Sequence, residues 1–94
     1  MSGNELNEVT ELLVSIVRAI VDQPEVVRVQ VLEGSQAVVL ELTVSASDVG
    51  KVIGKRGIHA DAIRRIIHAV GGKHRRRYLV EISGEGGEKA PASV

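Results

Sequence analysis

Four consecutive residues, Gly54-Lys55-Arg56-Gly57, set two cations between two glycines inside the stretch GKVIGKRGIHADAIRRI. A glycine lets the chain turn sharply and lets a ligand lie against the backbone. Apolar helical runs flank the loop. It therefore sits at the start of a helix, where unsatisfied N–H groups and the positive end of the helix dipole gather. Lys55 and Arg56 add mobile positive charge. Together these groups make a grip for phosphate, either single or in series along a strand.

Three readings compete for such a loop. A nucleotide-binding P-loop requires G-x-x-x-x-G-K-[ST], whose hydroxyl serves Mg²⁺. Here three residues separate Gly50 from Gly54, Arg56 follows Lys55, and the hydroxyl is missing. A tight helix–turn–helix whose glycines serve geometry alone is the blander reading, but it gives no reason for Lys-Arg between them. The third reading is a clamp for the backbone of single-stranded nucleic acid.

No other constellation points to catalysis or to a cofactor. His59 and His68 are nine residues apart, about 180° around one helix, so they cannot share an ion. No acid or cysteine cluster supplies further ligands, and the chain has no cysteine at all, which excludes disulfides and thiolate chemistry. The serines read as cap, turn, helix or tail residues. The expectation is a non-enzyme without a cofactor or small-molecule substrate. No apolar run reaches the ~18 residues of a membrane span, and the acidic start MSGNELNEVTE is unlike a signal peptide, so a cytoplasmic location is expected.

Net charge is zero, yet it is segregated. Lys51–Arg77 holds 9 of the 12 Lys and Arg residues, all 3 His and one acid, Asp61. A neutral chain with one positive half can still present a binding field, although a merely solvated basic face is the common alternative.

The elements that must position the loop follow from periodicity. Leu6, Val9, Leu13, Ile16 and Ile20 recur at helical spacing over Glu5–Val21, with Asn4 as a plausible N-cap and Pro24 as the stop. Val27–Leu32 and Val38–Val44 alternate, and the EGSQA between them has turn chemistry, which predicts a hairpin. Ser47 is the expected N-cap of a short helix over Asp48–Ile53. A longer helix is predicted from Ile58 to Val70, capped by Gly71-Gly72, and a third strand from Tyr78 to Ile82. Winding the longer helix puts Ile58, Ala62, Ile66 and Ala69 in one arc, extended by Ile63, Ile67 and Val70. That side is expected to pack, leaving Asp61, Arg64, Arg65 and His68 in solvent. The fold class is therefore α+β in the order α-β-β-α-α-β, a three-stranded sheet with helices packed on one face. Residues 1–83 are expected to form one domain, and the small polar segment 84–94 a disordered tail.

VIGKRG, between a short helix and a longer one, resembles the GXXG loop of a KH domain, and the element order resembles the bacterial, type II arrangement of that fold. The small size, the N-terminal VTELLVSIVRAIVDQPE, the segment LELTVSASDVGKVIGKRG and the AIRRI that follows are similar to the short bacterial single-KH RNA-binding family often called KhpA. The similarity runs from about Leu6 to Ile82.

The resemblance implies that Gly54–Gly57 clamps about four nucleotides of single-stranded RNA, with Lys55 and Arg56 neutralising phosphates. It implies a base groove that includes Val52, Ile53, Ile58, Ala62 and residues of the Val38–Val44 strand. Lys51, His59, Arg64 and Arg65 complete the expected RNA-binding set. His59 either contacts a nucleotide or lies partly buried beneath the loop. Family members often carry a cation at the positions of Ile58 and Asp61, which leaves the number of phosphates contacted open. The run KHRRRY, Lys73–Tyr78, either extends the positive surface or is a solvated loop. By the same resemblance the protein is an RNA chaperone or post-transcriptional regulator. The alternative is a protein-interaction module that forms a homodimer, or a heterodimer with a larger KH-containing RNA-binding protein, with RNA binding secondary.

Overall fold

The computed structural model describes residues 3–86 and 88–89. Helix α1 runs from Gly3 to Arg18 and buries Val9, Leu13 and Val17, one residue per turn on a single stripe. The helix begins before Asn4, so Asn4 lies in its first turn rather than capping it. Its last turn tightens, with Ile20 N–H donating to the Val17 carbonyl at 2.9 Å. Strands β1 (Arg28–Glu33) and β2 (Val38–Val44) form the expected antiparallel hairpin, in the register Arg28↔Thr43 to Glu33↔Val38. Strand β3 (Tyr78–Gly84) pairs parallel to β2 from Val38↔Tyr78 to Val44↔Gly84, as a helical crossover between them requires.

The sheet order is β1-β2-β3-β4. Strand β4 is two residues, Glu88–Lys89, set antiparallel against Ser83 and Gly84 within the segment expected to be a tail. Residues 90–94 of that segment lie outside the described residues. Val38, Leu40, Leu42 and Val44 of β2 are fully buried and meet the α1 stripe, so the core is the aliphatic seam between central strand and helices. Burying such a side chain stabilises the fold by about 1.5–3 kcal/mol. Among the described residues no helix is long and apolar enough to cross a membrane.

Two short elements differ from expectation. Ala46–Asp48 form a single 3₁₀ turn, and helix α2 is Val49–Ile53, so Ser47 does not cap it. Asp48 is buried, and its carboxylate accepts from the amides of Asp22 (3.2 Å) and Gln23 (3.0 Å). Two backbone donors satisfy a carboxylate that would otherwise be costly to bury, and the contact pins α2 to the α1–β1 connection.

Helix α3 extends from Ile58 to His74, straight through Gly71-Gly72. It ends one turn later, with Arg75 in the left-handed conformation (φ 56°) where glycine is usual. The Arg76 amide donates to the Gly71 carbonyl at 2.8 Å and the Arg75 amide to that of Gly72 at 3.3 Å. Gly71 is not a cap. The Arg76 carbonyl lies where its Cβ would be. The buried side of α3 is Ala60, Ile63, Ile67 and Gly71. Contrary to expectation, Ile58 is 63% exposed, Ile66 is 47% exposed, and Ala62 and Ala69 are exposed with them. The two arcs are centred about 140° apart around the helix. Each arc has two isoleucines and two small residues; on the inner one, Gly71 lies too close to the Arg76 carbonyl to carry a Cβ.

Candidate nucleic-acid interface

The loop between α2 and α3 is built almost entirely from left-handed backbone. Gly54 has φ 78° and ψ 168°, Arg56 φ 58° and ψ 25°, and Gly57 φ 74° and ψ 15°. The Gly54 pair of angles is essentially restricted to glycine. Gly57 is buried and stands at the N-cap position of α3, where no side chain caps the helix. Arg56 holds an unfavourable conformation that costs a non-glycine residue about 1–2 kcal/mol. The loop closes on itself through the Gly57 amide, which donates to the Gly54 carbonyl at 3.0 Å, and it is anchored by the Gly54 amide on the Gly50 carbonyl at 2.9 Å.

The side chains divide sharply. Lys55 and Arg56 are exposed, and among the described residues neither has a carboxylate partner. Lys51 is paired with Asp22 at 3.3 Å, and Arg65 with Asp61 at 3.0 Å. Both pairs are largely exposed and worth little, but they mute two of the cations expected at the site. Val52 is fully buried and Ile53 nearly so, so their side chains support the loop from the core and face no groove. Ile58 stands exposed directly after the loop. His59 is exposed, and its Nδ1 lies 2.8 Å from the Lys51 carbonyl.

Strand β2 cannot contribute the expected groove wall. Both of its edges are hydrogen-bonded, and its inward side chains are fully buried. Among the described residues the open edge belongs to β3, which β4 covers at Ser83 and Gly84. Between that edge and α3 lies a groove of about 370 Å³ lined by Arg64, Arg65, His68, Tyr78, Leu79 and Val80. Arg64 spans it, with Nε and Nη2 each donating to the Val80 carbonyl at 3.3 Å. At 1.5 Å per residue, these positions on α3 lie about 10–16 Å along the helix from Gly57. Burial of the phenol raises the pKa of Tyr78. The Glu5 charge adds to this, Arg76 opposes it and Glu33 adds slightly. The Tyr78 hydroxyl also lies 3.0 Å from His74 Nδ1.

Sequence reasoning brought Arg64 and Arg65 to the site and missed Tyr78, Leu79 and Val80. Their signal is non-local: only the parallel pairing of β3 outside β2 makes them an edge.

A glycine loop with open cations at a helix start, beside a groove along an exposed strand edge, on an α-β-β-α-α-β frame, defines a KH-type domain. The family model for the KhpA/KhpB KH domain matches residues 10–82, and the chain belongs to that family. It is 46% identical over 80 residues to the RNA-binding protein KhpA of Borreliella burgdorferi, covering 85% of this chain and 93% of that one. It is 44% identical over 72 residues to the KhpA of Caldanaerobacter subterraneus subsp. tengcongensis, covering 77% and 96%. The KhpA of Chlamydia pneumoniae is 37% identical over 75 residues, covering 80% and 96%. No solved structure matches the chain. The family is one of RNA-binding domains rather than enzymes.

Proposed function

We propose that this protein binds single-stranded RNA in the cytoplasm as an RNA chaperone or post-transcriptional regulator, by binding and not by catalysis. Phosphates lie against Gly54–Gly57 and are neutralised by Lys55 and Arg56. The bases lie toward α3 and the open edge of β3, where Ile58, Leu79 and the Arg64 stem offer apolar contact. Backbone groups along the edge offer hydrogen bonds. Bases can be held this way without the aromatic stacking that other RNA-binding surfaces use. The observation that carries this reading is the loop itself: three left-handed residues that present two unpaired cations at the uncapped start of α3. Reversing both charges, Lys55→Asp with Arg56→Asp, is expected to weaken binding of a random-sequence single-stranded RNA by about a hundredfold, or roughly 2.7 kcal/mol. Circular dichroism should stay unchanged. Wild-type affinity in that folded double variant would contradict the clamp.

One observation favours a second reading, in which the protein pairs through α3 and Ile58 serves the seam rather than the bases. The exposed stripe runs Ile58, Ala62, Ile66, Ala69. Against an antiparallel copy of itself, each isoleucine meets an alanine: Ile58 on Ala69 and Ala62 on Ile66. Such a two-fold, self-matching seam is what an isologous interface needs. A larger KH-containing protein with a similar stripe would fit equally well. Pairing would also join two short RNA sites at high effective concentration. Sedimentation equilibrium is expected to give a dimer that Ile66→Lys converts to a monomer. A wild-type monomer at high micromolar concentration would contradict self-pairing.

A further inference from the structure

We infer that His59 is a positioning residue of the clamp: its ring fastens the end of α2 to the start of α3 and holds Gly54–Gly57 in shape. This rests on the clamp reading above. Helix α2 has five residues, too few to be stable alone, and its terminal carbonyls have no partner within the helix. The Gly50 carbonyl is taken by the Gly54 amide, and the Lys51 carbonyl by His59 Nδ1 at 2.8 Å. A carbonyl only accepts, so Nδ1 carries the hydrogen. The imidazole thus caps α2 from across the loop.

The same ring also explains the first glycine. A Cβ at Gly54 would lie 2.6 Å from both Cγ and Nδ1 of His59. Gly54 and His59 are therefore a fitted pair, the absent side chain of one making room for the ring of the other. The tether continues inward. Buried Asp48, immediately before α2, accepts from the Asp22 and Gln23 amides, and the exposed Lys51–Asp22 pair adds little to this hold. The clamp is thereby tied to the α1–β1 connection. His59 is exposed, so its loss removes little from the core. What it removes is the hold on a loop with three left-handed residues, whose ordering would then have to occur on binding and would weaken it.

The test compares wild type with His59→Ala, His59→Asn and the Lys55→Asp/Arg56→Asp double variant. Each is measured for affinity to a random-sequence single-stranded 12-mer RNA and for amide hydrogen exchange. His59→Ala is expected to bind about five- to tenfold more weakly, with an unchanged salt slope because no phosphate contact is lost. Exchange at Gly54–Gly57 should speed up, while β2 stays protected. Asparagine can place an N–H near the position of Nδ1, so His59→Asn should return both affinity and loop protection to within about twofold of wild type. Loop exchange unchanged in His59→Ala would overturn the inference. So would His59→Asn with wild-type protection but the weak affinity of His59→Ala, because the ring would then be touching RNA itself. If the double variant binds like wild type, the clamp reading fails instead, and the exchange comparison still decides whether His59 holds the loop.

Discussion

The two ends of α3 use the same residue types for opposite purposes. Each has an arginine in the left-handed conformation, Arg56 before the helix and Arg75 after it, and each has a glycine whose missing Cβ is required. At the C-terminal end the backbone is turned inward, although Lys73, Arg75 and Arg77 are exposed there. Gly71 lies under the Arg76 carbonyl, the Arg75 and Arg76 amides close the last turn, and His74 meets the Tyr78 hydroxyl. At the N-terminal end the cap position is a glycine with no side chain, and Lys55 and Arg56 face solvent without acid partners among the described residues. One end is closed by its own chain and serves the fold. The other, on the function proposed above, is completed by a ligand. Glycine and arginine alone therefore do not mark a binding loop. Exposed cations stand at both ends, so what marks the N-terminal loop is that its cations sit at the start of a helix with no side-chain cap.

Substitutions can break this contrast, beginning with the largest effect on the fold. Gly71→Ala forces its Cβ onto a backbone carbonyl and should cost about 1–3 kcal/mol of stability in urea titration. The RNA affinity of the folded protein should hardly change. The two left-handed arginines then separate stability from function. Glycine at either position relieves the backbone but adds unfolded-state entropy, so Arg56→Gly and Arg75→Gly should both lie between no change and a gain of about 1 kcal/mol. Arg56→Gly alone is expected to weaken RNA binding severalfold, measured by fluorescence anisotropy. An equal loss in Arg75→Gly would erase the distinction between the ends and draw the Lys73–Arg77 run into the site.

The smallest effect concerns pH. The pKa of Tyr78 is raised in the folded state, chiefly by burial. The folded protein therefore keeps the phenolic proton more tightly than the unfolded chain does. That stabilisation is complete below the ordinary tyrosine value of 10.0 and is lost as pH rises through the higher folded value. Tyr78→Phe should flatten the stability profile above about pH 10, as read by denaturant midpoints at pH 8 and pH 11.

What could be read in the sequence was local. Val38–Val44 alternates without a break, so its period of two gave both its limits and its buried face. The loop Gly54–Gly57 declared itself because its glycines and cations are adjacent in the chain. The orientation of α3 was not legible, because the helix carries two apolar arcs and periodicity cannot rank them. Gly71-Gly72 looks like a helix stop because glycine is the usual left-handed cap, a position that here falls to Arg75. The resemblance puts β2 rather than β3 in the groove wall, and alternation does not correct it, because alternation shows only that a strand has an inner face. It does not show which of its neighbours lies outermost.

The most direct test of the clamp is the salt dependence of RNA binding for wild type and for Lys55→Asp/Arg56→Asp, between about 50 and 300 mM monovalent salt. If three or four phosphates are neutralised, the wild-type slope of log K against log salt should lie near −2 to −3. The double variant should lose most of its affinity and at least about one unit of that slope. Equal slopes and equal affinities would place the phosphates elsewhere on the protein and contradict the account.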